Sequence, residues 1–171
     1  MAGRNDGFDE FAAAAWPRLR RSAYLLTGDH HLAEDLTQTA LARTFAHWRR
    51  VRRQDGLAYS RKVLVNLNID RLRRRRMVEV GGDSVDYAMD RMADREDAEQ
   101  ATSDRDYVVR LLAGLTDKER RVVVLRHYFD LSEADVAGEL GIAPGTVKST
   151  LARALSKLRV SDDSLEEAVK P

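Results

Sequence analysis

Between Leu131 and Arg159 the chain reads LSEADVAGELGIAPGTVKSTLARALSKLR, and Thr146, Lys148, Ser149, Ala152 and Arg153 fall along one helical face of it. That face is short, polar and cationic. It can enter a major groove, with hydroxyls and charges on phosphates and a few side chains on base edges. A second set lies upstream: Arg61 and Lys62, then Arg71, Arg73, Arg74, Arg75 and Arg76. Charge this concentrated attracts phosphates through counterion release, so binding would depend strongly on salt. Tyr59 stands beside it, near Trp48 at the end of the preceding predicted helix, and unstacked bases bind to aromatics beside cations. A solvated charge run and a core tyrosine would give the same pattern. A third set, His30, His31, Glu34 and Asp35, has helical spacings of three to five that could gather metal ligands. A zinc site needs three convergent donors with supporting hydrogen bonds, and a polar helix start accounts for these residues more simply. His47 and His127 are isolated, and no glycine-rich phosphate loop or nucleophile motif occurs. Neither an enzyme nor a cofactor is expected.

The elements that position these residues read as helices. Ser132, with Asp135 three residues on, caps a short helix that Gly141 ends; Pro144 suits the first turn of the next, which runs to about Arg159. In that last helix Val147, Leu151, Leu155 and Leu158 form the predicted inward stripe. This is helix-turn-helix spacing, although an ordinary helical hairpin shares it. Further upstream, Phe8, Phe11, Ala15, Leu19 and Leu26 share a helical face, with a bend or restart expected near Pro17. A second helix is predicted from about His30 to Arg53, then a turn at Gln54, Asp55 and Gly56, then a third helix from about Leu57 to Arg76. On the second helix Leu32, Leu36, Ala40, Leu41, Phe45 and Trp48 spread over roughly 220°. Either that helix is central in its domain or part of the arc is a docking surface, with Asp35, Gln38, Thr39 and Arg43 as its polar part. Val78 to Ser103 lacks sustained periodicity and reads as a flexible linker, with a transient helix as the alternative. Tyr107 to Leu115 resumes a helix, and Thr116 with Glu119 forms a capping box for another that carries Val122 to Leu125 and ends near Tyr128. The expected fold is all-α: two small helical domains joined by a flexible acidic linker, the second ending in a helix-turn-helix.

A net charge of +1 over 171 residues conceals a strong separation along the chain. Residues 1–76 hold 16 Lys/Arg against 8 Asp/Glu, whereas residues 77–106 hold 3 against 10. Residues 107–160 return to 9 against 6, and the tail, residues 161–171, carries 1 against 4. Two basic modules thus flank an acidic connector, which would avoid a polyanion that both modules bind; solubility explains it equally well. The absence of Cys excludes disulfides and thiolate chemistry. No apolar run approaches a membrane span, and the acid-bearing N-terminus lacks a signal-peptide layout, so a soluble, cytoplasmic protein is expected.

The order ALARTFAHWRRVRRQDGLAYSRKVLVNLNIDRLRRRR, an acidic linker, then LTDKERRVVVLRHYFDLSEADVAGELGIAPGTVKSTLARALSKLR resembles bacterial sigma-70 family factors of the extracytoplasmic-function (group 4) type. The resemblance covers residues 8–76 and 104–160, and it is the combination that is specific. It implies a subunit, without catalysis of its own, that lends promoter recognition to core RNA polymerase, with domains at 1–76 and 104–160, a linker at 77–103 and a tail at 161–171. By the same resemblance Asp35, Leu36, Gln38, Thr39, Leu41 and Arg43 would dock on the clamp helices of the largest polymerase subunit. Tyr59, Asn66, Asp70, Arg71 and the arginines to Arg76 would recognise the minus-10 element and hold the opened strand, although many relatives carry Trp where this chain has Tyr59. Gln54, Asp55 and Gly56 match a loop that accommodates a flipped base. Thr146, Lys148, Ser149, Ala152 and Arg153 match the minus-35 recognition helix, with Arg120, Arg121 and Arg126 near its phosphates. Leu112, Leu115 and Val122 to Leu125 are core or contacts to the flap of the second polymerase subunit. An anti-sigma factor is a further implied partner. The alternative is a stand-alone helix-turn-helix regulator that binds duplex DNA without polymerase.

Overall fold

Helix starts and stops follow from the residues that take up the amides and carbonyls a helix end leaves over. The computed structural model describes residues 7–51, 55–80 and 104–169, with side chains in the last stretch for 106–161. Helix α1, Phe8–Thr27, lies between Gly7 and Gly28, both left-handed (φ 73° and 72°), and the Gly28 amide donates to the Tyr24 carbonyl at 2.8 Å. Asp9 and Glu10 place negative charge at its positive end. The helix is continuous through Pro17, where a bend or restart was expected. Pro17 and Ala13, whose carbonyl loses its amide donor, both face solvent, so water can take up the carbonyl.

Helix α2, His30–Ala46, starts on Asp29, whose carboxylate accepts from the Leu32 amide at 2.9 Å. It stops short of the predicted Arg53. The cause is Trp48, which folds back and is buried, stacked on Phe11 at 4.8 Å and edge-on to Phe8 at 5.2 Å, while Phe8 also meets Phe45 at 4.9 Å. Burial of several aromatic rings outweighs the small propensity gain of two more helical turns. Helix α3, Gly56–Val80, begins under this cluster: a Cβ on Gly56 would lie 2.8 Å from Phe11 Cε2 and 3.2 Å from Trp48 Cζ3, so any larger residue would have to push these rings aside. α2 packs on both α1 and α3, and the hydroxyls of Thr44 and Ser60 meet between α2 and α3 at 2.9 Å. Of the wide apolar arc, Leu36, Ala40, Leu41 and Trp48 are buried and Leu32 and Phe45 half-buried, so most of it is used in packing α2 between α1 and α3. α3 continues four residues past Arg76. Residues 81–103, most of the expected linker, lie outside the described residues.

The chain divides into two compact units between Ala101 and Thr102. In the second, α4 is Asp104–Ala113 and α5 is Asp117–Val123, opened by the predicted capping box: Thr116 Oγ1 accepts from the Glu119 amide at 3.3 Å, and Glu119 Oε2 accepts from the Thr116 amide at 2.9 Å. Val122 to Leu125 are four successive buried apolar residues, which a helix can hold only if it is covered nearly all round. From Val124 to Tyr128 the coil widens to a π-turn, with the Phe129 amide on the Val124 carbonyl at 3.2 Å, and Phe129 is buried. α6 is Glu133–Leu140, capped by Ser132 and ended by left-handed Gly141 (φ 64°); α7 is Pro144–Val169, longer than the predicted end near Arg159 and running through most of the expected tail. No strand occurs among the described residues.

Candidate nucleic-acid interface

α7 owes its geometry to a buried seam. Val147, Thr150 and Ala154 are inaccessible to solvent or nearly so, while the predicted Leu151, Leu155 and Leu158 flank them half-buried. Thr150 was missed because its hydroxyl reads as outward, yet its i+3 spacing from Val147 and i−4 spacing from Ala154 put it at the centre of the stripe. The opposite face carries Lys148, Ser149, Ala152 and Arg153, all exposed, with Thr146 half-buried at the first turn. Ser149 Oγ donates to the Thr146 carbonyl at 3.2 Å and Arg153 reaches Thr150 Oγ1 at 3.5 Å. The seam is fastened to α5 by an ion pair that sequence reasoning missed: Lys157 Nζ donates to the buried Glu119 Oε2 at 2.8 Å. The Lys157 ammonium, with smaller help from Thr116, holds the Glu119 carboxyl below its ordinary value, against a burial effect that raises it.

The three arginines expected near phosphates are all half-buried, and each donates to a backbone carbonyl of its own unit. Arg120 spends its fork on the end of α4, donating to the carbonyls of Leu112 at 3.0 Å, Leu115 at 3.2 Å and Ala113 at 3.4 Å, and burial lowers its pKa. Arg126 Nη1 donates to the Leu131 carbonyl, and its Nε is buried without a hydrogen-bond partner. Arg121 Nε donates to the Asp117 carbonyl at 3.2 Å. Arg120 is therefore built into the unit as a clamp on the end of α4, and Arg126 ties the π-turn to the loop that leads into α6. Leu112, Leu115 and Val122 to Leu125, left between core and docking by the sequence, are buried in the unit.

In the first unit α3 presents Lys62, Asn66, Asp70, Arg73, Arg74 and Arg76 to solvent, with Arg61, Arg71 and Arg75 half-buried. Asp70 meets Arg73 at 3.4 Å and Glu79 meets Arg75 at 3.5 Å. Tyr59 is half-buried and its ring lies 6.0 Å from that of His47, tilted by 46°. Its expected neighbour Trp48 is turned into the aromatic cluster instead. His47 Nδ1 is 2.9 Å from the Arg43 carbonyl, which fixes the ring. Of the loop matched to a flipped base, Gln54 lies outside the described residues, Asp55 is exposed, and Gly56 is buried as the first residue of α3. On α2 the exposed face is Asp35, Gln38, Thr39, Ala42 and Arg43. Leu36 and Leu41 are each only 7% exposed, so they stand behind that face.

The polar residues at the start of α2 have other uses than metal binding: His30 stacks on Tyr24 at 3.9 Å, and Glu34 accepts from Arg20 at 3.1 Å. Among the described residues no group of three or more His, Asp or Glu is placed to hold a metal ion, and no helix is long and apolar enough to cross a membrane.

Two helical units in this order, each with exposed cations on a helix, define a class. The family models for Sigma-70 region 2 and Sigma-70, region 4 match residues 13–77 and 105–158. The RNA polymerase sigma-E factor of Streptomyces coelicolor is 38% identical over 153 residues, covering 89% of this chain and 84% of that one. The ECF RNA polymerase sigma factor SigL of Mycobacterium tuberculosis is 35% identical over 156 residues, covering 90% and 85%. The chain belongs to the sigma-70 family, among its extracytoplasmic-function members. The sigma factor RpoE of Bartonella quintana, solved in complex with the anti-sigma factor NepR, has a similar fold, with a TM-score of 0.69 at 24% identity over 89% of this chain and 94% of that one.

Proposed function

We propose that this chain binds core RNA polymerase and directs promoter-specific initiation, reading the minus-35 element with α7 and the minus-10 element with α3 and Tyr59. The observation that carries the reading is the α7 face: Lys148, Ser149, Ala152 and Arg153 stand exposed on a helix whose other side is sealed by Val147, Thr150 and Ala154. A rigid backing of that kind lets short side chains read base edges without first being ordered. Asp35, Gln38, Thr39 and Arg43 form the polymerase-docking face on α2. Asn66, Asp70, Arg71 and the arginines to Arg76 hold the minus-10 segment. Asp55 borders the site for an extruded base, and Tyr59 offers it a stacking surface.

Opening the duplex then needs no hydrolysis, because trapping an unstacked base supplies the drive. Each unit alone binds DNA weakly, and polymerase raises the effective concentration of the second once the first is engaged. A protein of the anti-sigma kind would act by covering one of these faces. Gel filtration with purified core polymerase, followed by promoter binding with and without it, tests the reading. Co-elution and polymerase-dependent promoter binding are expected; tight binding of the free chain to a two-fold duplex site would point to a stand-alone regulator.

A further inference from the structure

Among the described residues Asn68 is the only buried side-chain amide, 1% exposed on α3 in line with Leu64, Val65 and Leu67. A buried amide destabilises a core unless it is hydrogen-bonded, and an apolar residue of similar size would pack there without that penalty. Its amide oxygen accepts from Arg71 twice, from Nη2 at 3.2 Å and Nε at 3.4 Å. Because a guanidinium only donates, the amide has to turn its oxygen toward Arg71. Other acceptors accompany the arginine run, but differently. Asp70 and Arg73 meet at 3.4 Å with side chains 52% and 73% exposed, a hydrated pair that fixes little. Arg75 pairs with the part-exposed Glu79. Asn68 has its own conformation locked by burial.

We propose that Asn68 is a positioning residue for DNA recognition: it holds the Arg71 guanidinium in one orientation at the edge of the bundle, so that the fork meets the promoter strand already ordered. The inference rests on the reading of α3 as the minus-10 helix. A long side chain that is immobilised only on binding forfeits affinity, and one held beforehand forfeits less.

The test measures promoter-complex affinity of the reconstituted holoenzyme for Asn68→Leu, Arg71→Ala and the double variant, with Asn68→Asp as the rescue that keeps an acceptor. Asn68→Leu should weaken the complex about threefold to tenfold, but less than about twofold further in the Arg71→Ala background. Asn68→Asp should stay within about twofold of the parent. If Asn68→Leu does not fold, Asn68→Ala removes the acceptor without adding bulk and is read the same way. Equal losses in both backgrounds would mean that Asn68 only stabilises the bundle, which overturns the inference. Parent affinity for Arg71→Ala would overturn it together with the role of Arg71, whereas polymerase co-elution reports on the wider reading independently.

Discussion

Glu119 joins two jobs in one carboxylate, capping α5 through Thr116 and receiving Lys157 from α7 at 2.8 Å. Its pKa is lowered on folding from an ordinary value near 4.5. The stabilisation is therefore fully present above that value and is lost as pH falls through the lower folded value. Gln can still serve as the third residue of a capping box, so Glu119→Gln isolates the ion pair. It should cost about 1–2 kcal/mol at neutral pH and flatten the fall in stability at acid pH, which denaturant titrations between neutral and acid pH would show. The capping half of Glu119 is legible in sequence because it is local; its pairing with Lys157, 38 residues away, is not. Arg120 teaches the same lesson in reverse. In sequence it is a cation near a recognition helix, and only the fold shows its fork closing the end of α4. Arg120→Ala should lower unfolding free energy by about 1–3 kcal/mol. Arg153→Ala should leave stability within about 0.5 kcal/mol and instead reduce transcription from minus-35-dependent promoters, with polymerase binding intact.

At the scale of elements, caps and breakers were readable: Ser132, Gly141 and Pro144 bound α6 and α7 as their chemistry requires, since each acts within one turn. The end of α2 was not, because Trp48 is pulled from the helical track by rings on α1. The same cluster fixes Gly56, whose place in the sequence suggests a loop. Gly56→Ala should destabilise the first unit by about 1–3 kcal/mol as Phe11 and Trp48 shift, measurable by thermal melting. The arc on α2 is resolved by packing on two sides. Leu36→Glu should therefore unfold the unit, and a docking test belongs to the exposed Arg43→Glu, expected to weaken polymerase binding while the melting temperature holds.

At the scale of the molecule, charge is segregated along the chain, and both units carry exposed cations on a helix, Arg73, Arg74 and Arg76 on α3 and Lys148 and Arg153 on α7. What composition could not supply is which cations face outward: Lys148 and Arg153 do, whereas Arg120 closes the end of α4 and Arg126 holds the loop before α6. The proposed division of labour makes promoter selection a joint property of the two units, set by the chain between them. Removing about ten residues from 81–103 should shift the preferred separation of promoter elements or abolish initiation at the native spacing. The central claim is tested most directly by mapping transcript start sites on genomic promoter fragments, using core polymerase with and without the purified chain. Discrete new start sites that appear only with the chain, and weaken with Arg153→Ala, are the predicted result. An unchanged set of start sites, despite a folded chain, would contradict it.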